Sequence, residues 1–178
     1  MTARPINLRH PTLGNIMSGR CTVLHRPFNT NRNTHALSTL QPGDALWIRE
    51  PFHFFSRYNG MSLTTVDNLG GRAFFPVAPA GADDRDDWGP QRPARTLPKA
   101  LHRHHLRIAT IVEARLHDIK NAEIRDEGFR DRKVYAAEWN RIAATWGGLT
   151  YAANPTVLRI AFDYVPKPLP SEPYSSVA

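Results

Sequence analysis

LPKALHRHHLRIATIVEARL, Leu97 to Leu116, is the stretch whose pattern decides the fold. It opens on a prolyl turn and a short basic segment. Leu106, Ile108, Val112, Ala114 and Leu116 then fall on one parity, and Arg107, Glu113 and Arg115 on the other. Period-two alternation predicts a half-buried strand over Leu106–Leu116, one face on a core. No acid occurs between Trp88 and Val112, whereas Arg92, Arg95, Lys99, Arg103 and Arg107 all do. A rigid strand whose N-terminal end gathers cations is what an anion or nucleic-acid site requires.

Beyond this strand, Asp118 is expected to cap a short helix running to Glu127, with Gly128 as its terminator. A longer helix is expected over Asp131–Trp146, where Tyr135, Trp139, Ile142 and Trp146 share one face and Gly147–Gly148 ends the run. An aromatic stripe at that spacing belongs to a core. Asn154–Pro155 leads into a last strand, Thr156–Val165, with Leu158, Ile160, Phe162 and Tyr164 on one side. Residues 1–166 are expected to form a single domain, and the Pro/Ser-rich 167–178 a disordered tail.

Working toward the N-terminus, Ala78–Ala94 has the Pro, Gly and acidic bias of a mobile loop, and Arg72–Val77 that of a strand. Ala45–Phe55, ALWIREPFHFF, predicts a second strong strand with Leu46, Ile48, Phe52 and Phe54 on one face. Glu50 lies on that apolar parity, so it sits at a strand end or is held by a cation, because an unpaired buried carboxylate is costly. Arg49 is not that cation, since neighbouring strand residues point to opposite faces. Pro27–Gly43 is a polar loop. Ahead of it the pattern predicts a helix over Thr12–Ser18, opened by Pro11 and closed by Gly19, and a strand over Cys21–His25. Short strands, long loops and few helices define an α+β protein: a small, partly open barrel with helices outside.

Composition narrows the function. The 178 residues carry a net charge of +7, favouring polyanionic partners. A 41% apolar share supports one core, and 15 prolines with 11 glycines argue against a helical bundle. The single cysteine, Cys21, allows neither an internal disulfide nor a cysteine-built zinc cage. The opening residues lack the apolar core of a signal peptide, and no run approaches a membrane span. The expectation is a soluble cytoplasmic protein.

Several pieces in order resemble the ASCH domains of the PUA-like superfamily, especially those of phage and prophage proteins. Gly19-Arg20-Cys21-Thr22-Val23-Leu24-His25-Arg26 resembles the family's G-R-K-T-x-T-R-R, and Gly43-Asp44-Ala45-Leu46-Trp47-Ile48-Arg49-Glu50 its G-D-x-L-W-V-R-E. Leu97 through Ile108 is similar, without a gap, to M-P-R-W-A-S-R-I-T-L-E-V. Glu127-Gly128, Trp139 and Asn154-Pro155 resemble the E-G, W and N-P that follow, so the likeness spans Ile6 to Tyr164. It implies a PUA-like, mostly antiparallel β pseudo-barrel with flanking helices and a cleft between the N-terminal helix and the sheet. It also implies a role in binding RNA or modified nucleotides. Relatives that remove the acetyl group of acetylated cytidine are credited with a lysine, a threonine and a glutamate; here those positions are Cys21, Leu24 and Arg107. Leucine is no nucleophile and arginine no general base, so that hydrolase mechanism is not expected.

Cys21 is a candidate nucleophile with a histidine as base, but His25 lies four residues along the strand, roughly 13 Å at ~3.3 Å per residue. His102-Arg103-His104-His105 has only two histidines on one side of a strand, among arginines that oppose a cation, so no metal is expected. There is no Walker loop, dinucleotide fingerprint or HExxH. The expected function is a non-catalytic module binding nucleic acid, RNA first, or a modified nucleotide, with no cofactor and no membrane partner. Its site residues are Arg20, Thr22, Arg26, Trp47, Arg49, Glu50, Lys99, Arg103 and Arg107. The alternatives are an enzyme on a modified nucleotide with a rearranged Cys21/His site, and a phage-related protein-interaction scaffold.

Overall fold

A computed structural model describes residues 1–28, 37–69, 73, 75, 87–143 and 149–170. The chain is α+β. Its strands are β1 (Ala3–Asn7), β2 (Val23–Pro27), β3 (Ala45–Arg49), β4 (His105–Arg115) and β5 (Thr156–Val165), and its helices α1 (Thr12–Met17), α2 (Leu63–Asn68), α3 (Asn121–Asp126) and α4 (Arg132–Ala143). The strands form one sheet in the order β1-β3-β4-β5-β2. The β1–β3 ladder is parallel and the other three are antiparallel. Among the described residues this mixed sheet ends in open edges at β1 and β2, so the expected pseudo-barrel is corrected to an open five-stranded sheet.

The long β4–β5 ladder is the spine. Its register slips by one residue between Ile108 and Thr110, leaving Ala109 as a bulge. The slip reverses the face of everything beyond it. Leu106 and Ile108 are buried as expected, but Ile111 packs on the core while Val112, expected inside, is 49% exposed.

One face of the sheet carries Leu46, Ile48, Leu106, Ile108, Leu158, Ile160 and Phe162, covered by Leu13 and Ile16 of α1. The opposite face carries Val157 and Ala114, which pack with Leu116, Ile119, Ile124, Tyr135 and Trp139 from the α3–α4 region. Burying each such aliphatic side chain is worth about 1.5–3 kcal/mol, so the two layers fix the sheet from both sides. A third cluster, built on Phe52, Phe54, Tyr58, Val66, Phe75 and Leu97, follows β3. The strand expected over Ala45–Phe55 stops at Arg49. Pro51 has no N–H to give a ladder, and Phe52 and Phe55 make only isolated bridges, to Arg92 and Trp88.

Smaller corrections follow from local hydrogen bonding. The strand expected over Cys21–His25 is Val23–Pro27. Leu116–Asp118 is a 3-10 turn, and α3 starts after Lys120, so Asp118 is not its cap. Asp131 does cap α4, accepting the Val134 N–H at 2.9 Å. The start of the tail is docked rather than disordered: Leu169 is buried against Ala45 and Trp47. The expected strand at Arg72–Val77 is, but for Ala73 and Phe75, outside the described residues, as are 78–86 of the expected loop, 144–148 and 171–178. Among the described residues no helix is long and apolar enough to cross a membrane.

Candidate functional site

The polar centre of the molecule lies where β3 ends and β4 begins. Glu50, the first residue after β3, is fully buried. Arg103 reaches it in a two-pronged pair, Nε to Oε1 at 2.9 Å and Nη2 to Oε2 at 2.7 Å. The antiparallel β3–β4 pairing brings the two together from 53 positions apart. Nε2 of buried His104 stands 3.0 Å from Glu50 Oε1, close but not aligned as a straight hydrogen bond. Its Nδ1 lies 3.0 Å from the Tyr164 hydroxyl. Burial alone would raise the Glu50 pKa; the contacts from His104 and Arg103 outweigh it and hold the carboxyl below its usual range. The Arg103 guanidinium also lies 4.2 Å from the centre of the Phe75 ring.

Trp47, Arg49 and Arg107 occupy the other face. Trp47 is 6% exposed, enclosed by Leu169 and the His102 ring with the Arg49 guanidinium 4.7 Å over it, so it is a core residue rather than an open stacking platform. Arg49 donates to the Arg95 carbonyl at 3.1 Å, which folds the basic 92–99 segment back onto the end of β3. Arg107 is exposed and pairs across to Asp163 at 3.0 Å. Lys99 and Arg95 are exposed on 3-10 turns leading into β4. His102 contacts the Lys99 carbonyl through Nδ1 and accepts the Leu169 N–H at Nε2, 2.7 Å, while His105 Nδ1 contacts the Lys167 carbonyl at 2.9 Å. These histidines bind the tail, and burial lowers the pKa of both. Among the described residues no group of three or more His, Cys, Asp or Glu is arranged to hold a metal.

The remaining expected residues lie at or beside β2, at the opposite edge of the sheet from β3. Arg20 and Thr22 are exposed. Cys21 is 1% exposed, its thiol directed at the Val23 carbonyl, and burial first, then Glu127, pushes its pKa up to about 12. Burial and the carbonyl contact hold the thiol against ionisation, which counts against the rearranged Cys21 site. Arg26 lies 3.8 Å from buried Glu127, which also accepts the His25 N–H at 2.7 Å. Glu123 contacts His25 Nε2 at 3.1 Å and pairs with Arg159 at 2.7 Å. The Arg159 hydrogen bond holds the Glu123 carboxyl below its usual range despite desolvation. This network ties α3 to β2 and β5. Beside it Ala114, Ile119, Lys120, Glu123 and Arg159 line a hollow of about 160 Å³.

The single cleft expected for Arg20, Thr22, Arg26, Arg49, Lys99, Arg103 and Arg107 therefore divides. Arg26 belongs to the α3 tie, Arg103 to Glu50, and Arg49, Lys99 and Arg107 to the end of the sheet around β3 and β4. His104, Tyr164 and Arg95 join the site without having been expected there. A usable signal for the first two was polar chemistry on the apolar parity, His104 with Leu106 and Tyr164 with Phe162. In comparison with known proteins, no family model matches the chain, and neither a curated protein nor a solved structure is found similar to it.

Proposed function

We propose that the protein is a non-catalytic nucleic-acid-binding module, of the PUA-like kind its motifs resemble, with single-stranded RNA as the expected partner. The observation that carries this reading is the acid-free stretch between Trp88 and Val112, folded by the Arg49–Arg95 hydrogen bond around the end of β3. Arg95 and Lys99 are exposed there, and Arg107 lies on the Trp47 face of the adjoining strand. Arg103 neutralises Glu50, so this buried carboxylate does not oppose an anion. The Arg107–Asp163 pair is open to water and holds Arg107 only weakly, because exposed pairs are worth about 0–1 kcal/mol. Phosphate contacts position a strand by charge and forked hydrogen bonds.

Neutralising phosphates releases counterions, so affinity falls with salt. For a single strand the slope of log K on log salt is about −0.7 per phosphate, hence on the order of −2 to −4 for three to five contacts. Arg95→Ala, Lys99→Ala and Arg107→Ala should each flatten the slope by somewhat under one unit; Lys133→Ala, on the exposed side of α4, should not. Salt titration of binding to a short single-stranded RNA tests this. Equal effects at all four positions would mean dispersed surface charge, and a salt-insensitive protein partner would favour an interaction scaffold.

A further inference from the structure

Past β5 the chain reads Pro166-Lys167-Pro168-Leu169-Pro170. Proline has no N–H, so Lys167 and Leu169 hold the backbone donors of this run. The Lys167 N–H turns back to the Val165 carbonyl at 2.9 Å. The Leu169 N–H goes to a side chain, Nε2 of His102, at 2.7 Å. Prolines at alternate positions cannot lengthen the β5 ladder, so the run is held to the sheet through side chains. Leu169, alone among residues 166–170, is buried, packed on Ala45 and Trp47 of β3. It covers a small apolar cluster separate from the two main cores.

The two ring nitrogens of His102 fix its state. Nδ1 meets the Lys99 carbonyl, which only accepts, so Nδ1 carries the hydrogen. Nε2 then holds the lone pair that the Leu169 N–H needs. His102 therefore docks the tail only as a neutral ring. A proton on Nε2 sets two N–H groups against each other in a buried place, both without an acceptor. His105 differs, because its Nδ1 donates to the Lys167 carbonyl and a protonated ring keeps that bond. The groups around His102 do not offset a proton. Lys99 on its own turn, Arg49 over the Trp47 ring, and Lys167 and Arg107 beside His105 are cations, and His104 and His105 are the neighbouring rings. Glu50 is taken by Arg103 and Asp163 by Arg107. Burial first, then His105, Lys99 and His104, holds the His102 ring below the ordinary histidine value.

We propose that residues 166–170 are a detachable strap latched by the unprotonated Nε2 of His102, and that a proton taken up there frees Leu169 from Trp47 while the sheet beneath stays folded. The strap rests on one buried side chain and two histidine contacts. The β4–β5 ladder runs from His105 opposite Val165 to Arg115 opposite Thr156 and carries both main cores, so opening is local. It bares the Trp47 ring, with the Arg49 guanidinium 4.7 Å from its centre. The device does not depend on what the protein binds.

An NMR titration of the full chain from about pH 8 to about pH 5, spanning the ordinary histidine value of about 6.5, tests this. The Leu169 methyl signals, shifted by the Trp47 ring in the docked form, should move to their unpacked positions in one step. That step should share its midpoint, below about 6.5, with the ring carbons of His102, while the β4 and β5 amide signals away from the strap hold their places. At the neutral end the His102 side-chain ¹⁵N shifts should show the Nδ1–H tautomer. Proton and strap compete for one nitrogen, so weakening the strap eases protonation: Leu169→Ala should raise the His102 midpoint with the sheet intact. His105→Gln should keep the Leu169 step in the titration, and His102→Gln should abolish it. A Leu169 that stays packed while His102 titrates, a step that follows His105 instead, or an Nε2–H tautomer at neutral pH would overturn the proposal. So would an unmoved midpoint in Leu169→Ala, or loss of the β4–β5 signals in the same step.

Discussion

Arg103 shows how one residue changes meaning between a string of letters and a fold. As a member of a basic run it looks like a phosphate ligand; in the molecule its two prongs close on a carboxylate with no exposed surface. Removing it strands that charge. Breaking a buried pair from one side costs about 3–5 kcal/mol, whereas replacing both partners by apolar groups is often close to neutral. Arg103→Ala should therefore lower the urea midpoint sharply, and Glu50→Leu combined with Arg103→Met should recover most of the loss. A cost under about 1 kcal/mol for Arg103→Ala would show that water reaches Glu50 without it. The need for a cation at Glu50 was legible from its parity. The identity of the cation was not, because Arg103 precedes its strand and only the β3–β4 pairing brings it near.

At the scale of elements, α1 and α3 are joined end to side. Helix C-termini leave carbonyls unpaired, and α1 supplies the donors: Thr12 Oγ1 to the Glu127 carbonyl at 2.7 Å and Asn15 Nδ2 to that of Asp126 at 3.1 Å. Gly128 makes the approach possible. Its φ is +104°, and a Cβ there would lie 2.8 Å from Pro11 Cγ and 3.0 Å from Asn15 Nδ2. Gly43, at φ +90°, has nothing within 4 Å of the same position. Gly43→Ala should show backbone strain alone, about 1 kcal/mol, and Gly128→Ala should cost roughly 1–2 kcal/mol more through the lost α1–α3 contact, measured by urea unfolding. Equal costs would mean that the contact yields freely. β5, α4 and the first half of β4 were legible because Leu158, Ile160 and Phe162, Tyr135 and Trp139, and Leu106 and Ile108 are buried at the spacing their alternation predicts. β1 was not, since ARPIN alternates poorly and holds a proline, tolerated only because a short edge strand lacks a second partner to serve. Nor was the bulge at Ala109, a single extra residue that reverses the faces beyond it without any break in the alternation ahead of it. The basic end of the sheet was legible as composition, but the division of its arginines between opposite faces and edges depended on strand order.

Over the whole molecule, acid acts in one direction. Burial lowers the pKa values of His102 and His105, so the unfolded chain binds their protons first. Their contribution to stability is present above the unfolded histidine value of about 6.5 and is lost as pH falls through the lower folded values. Glu50 and Glu123 are depressed too, the first because His104 and Arg103 outweigh its burial, the second because Arg159 bonds it. Their contribution is complete above about 4.3, the unfolded glutamate value, and is lost below it. Asp44 and Asp131 are shifted the same way by backbone N–H groups, but as surface groups they add little. Protonating carboxylates on a chain already at +7 also increases self-repulsion. Urea midpoints at constant ionic strength should therefore fall monotonically from pH 7, gently at first and steeply below about pH 4.3. Glu123→Gln should flatten the steep arm, since an amide has no proton to gain, while leaving the histidine arm in place. A midpoint that rises between pH 7 and pH 5 would mean that the tail histidines are charged in the fold, and the docking of Leu169 through a neutral His102 would be wrong.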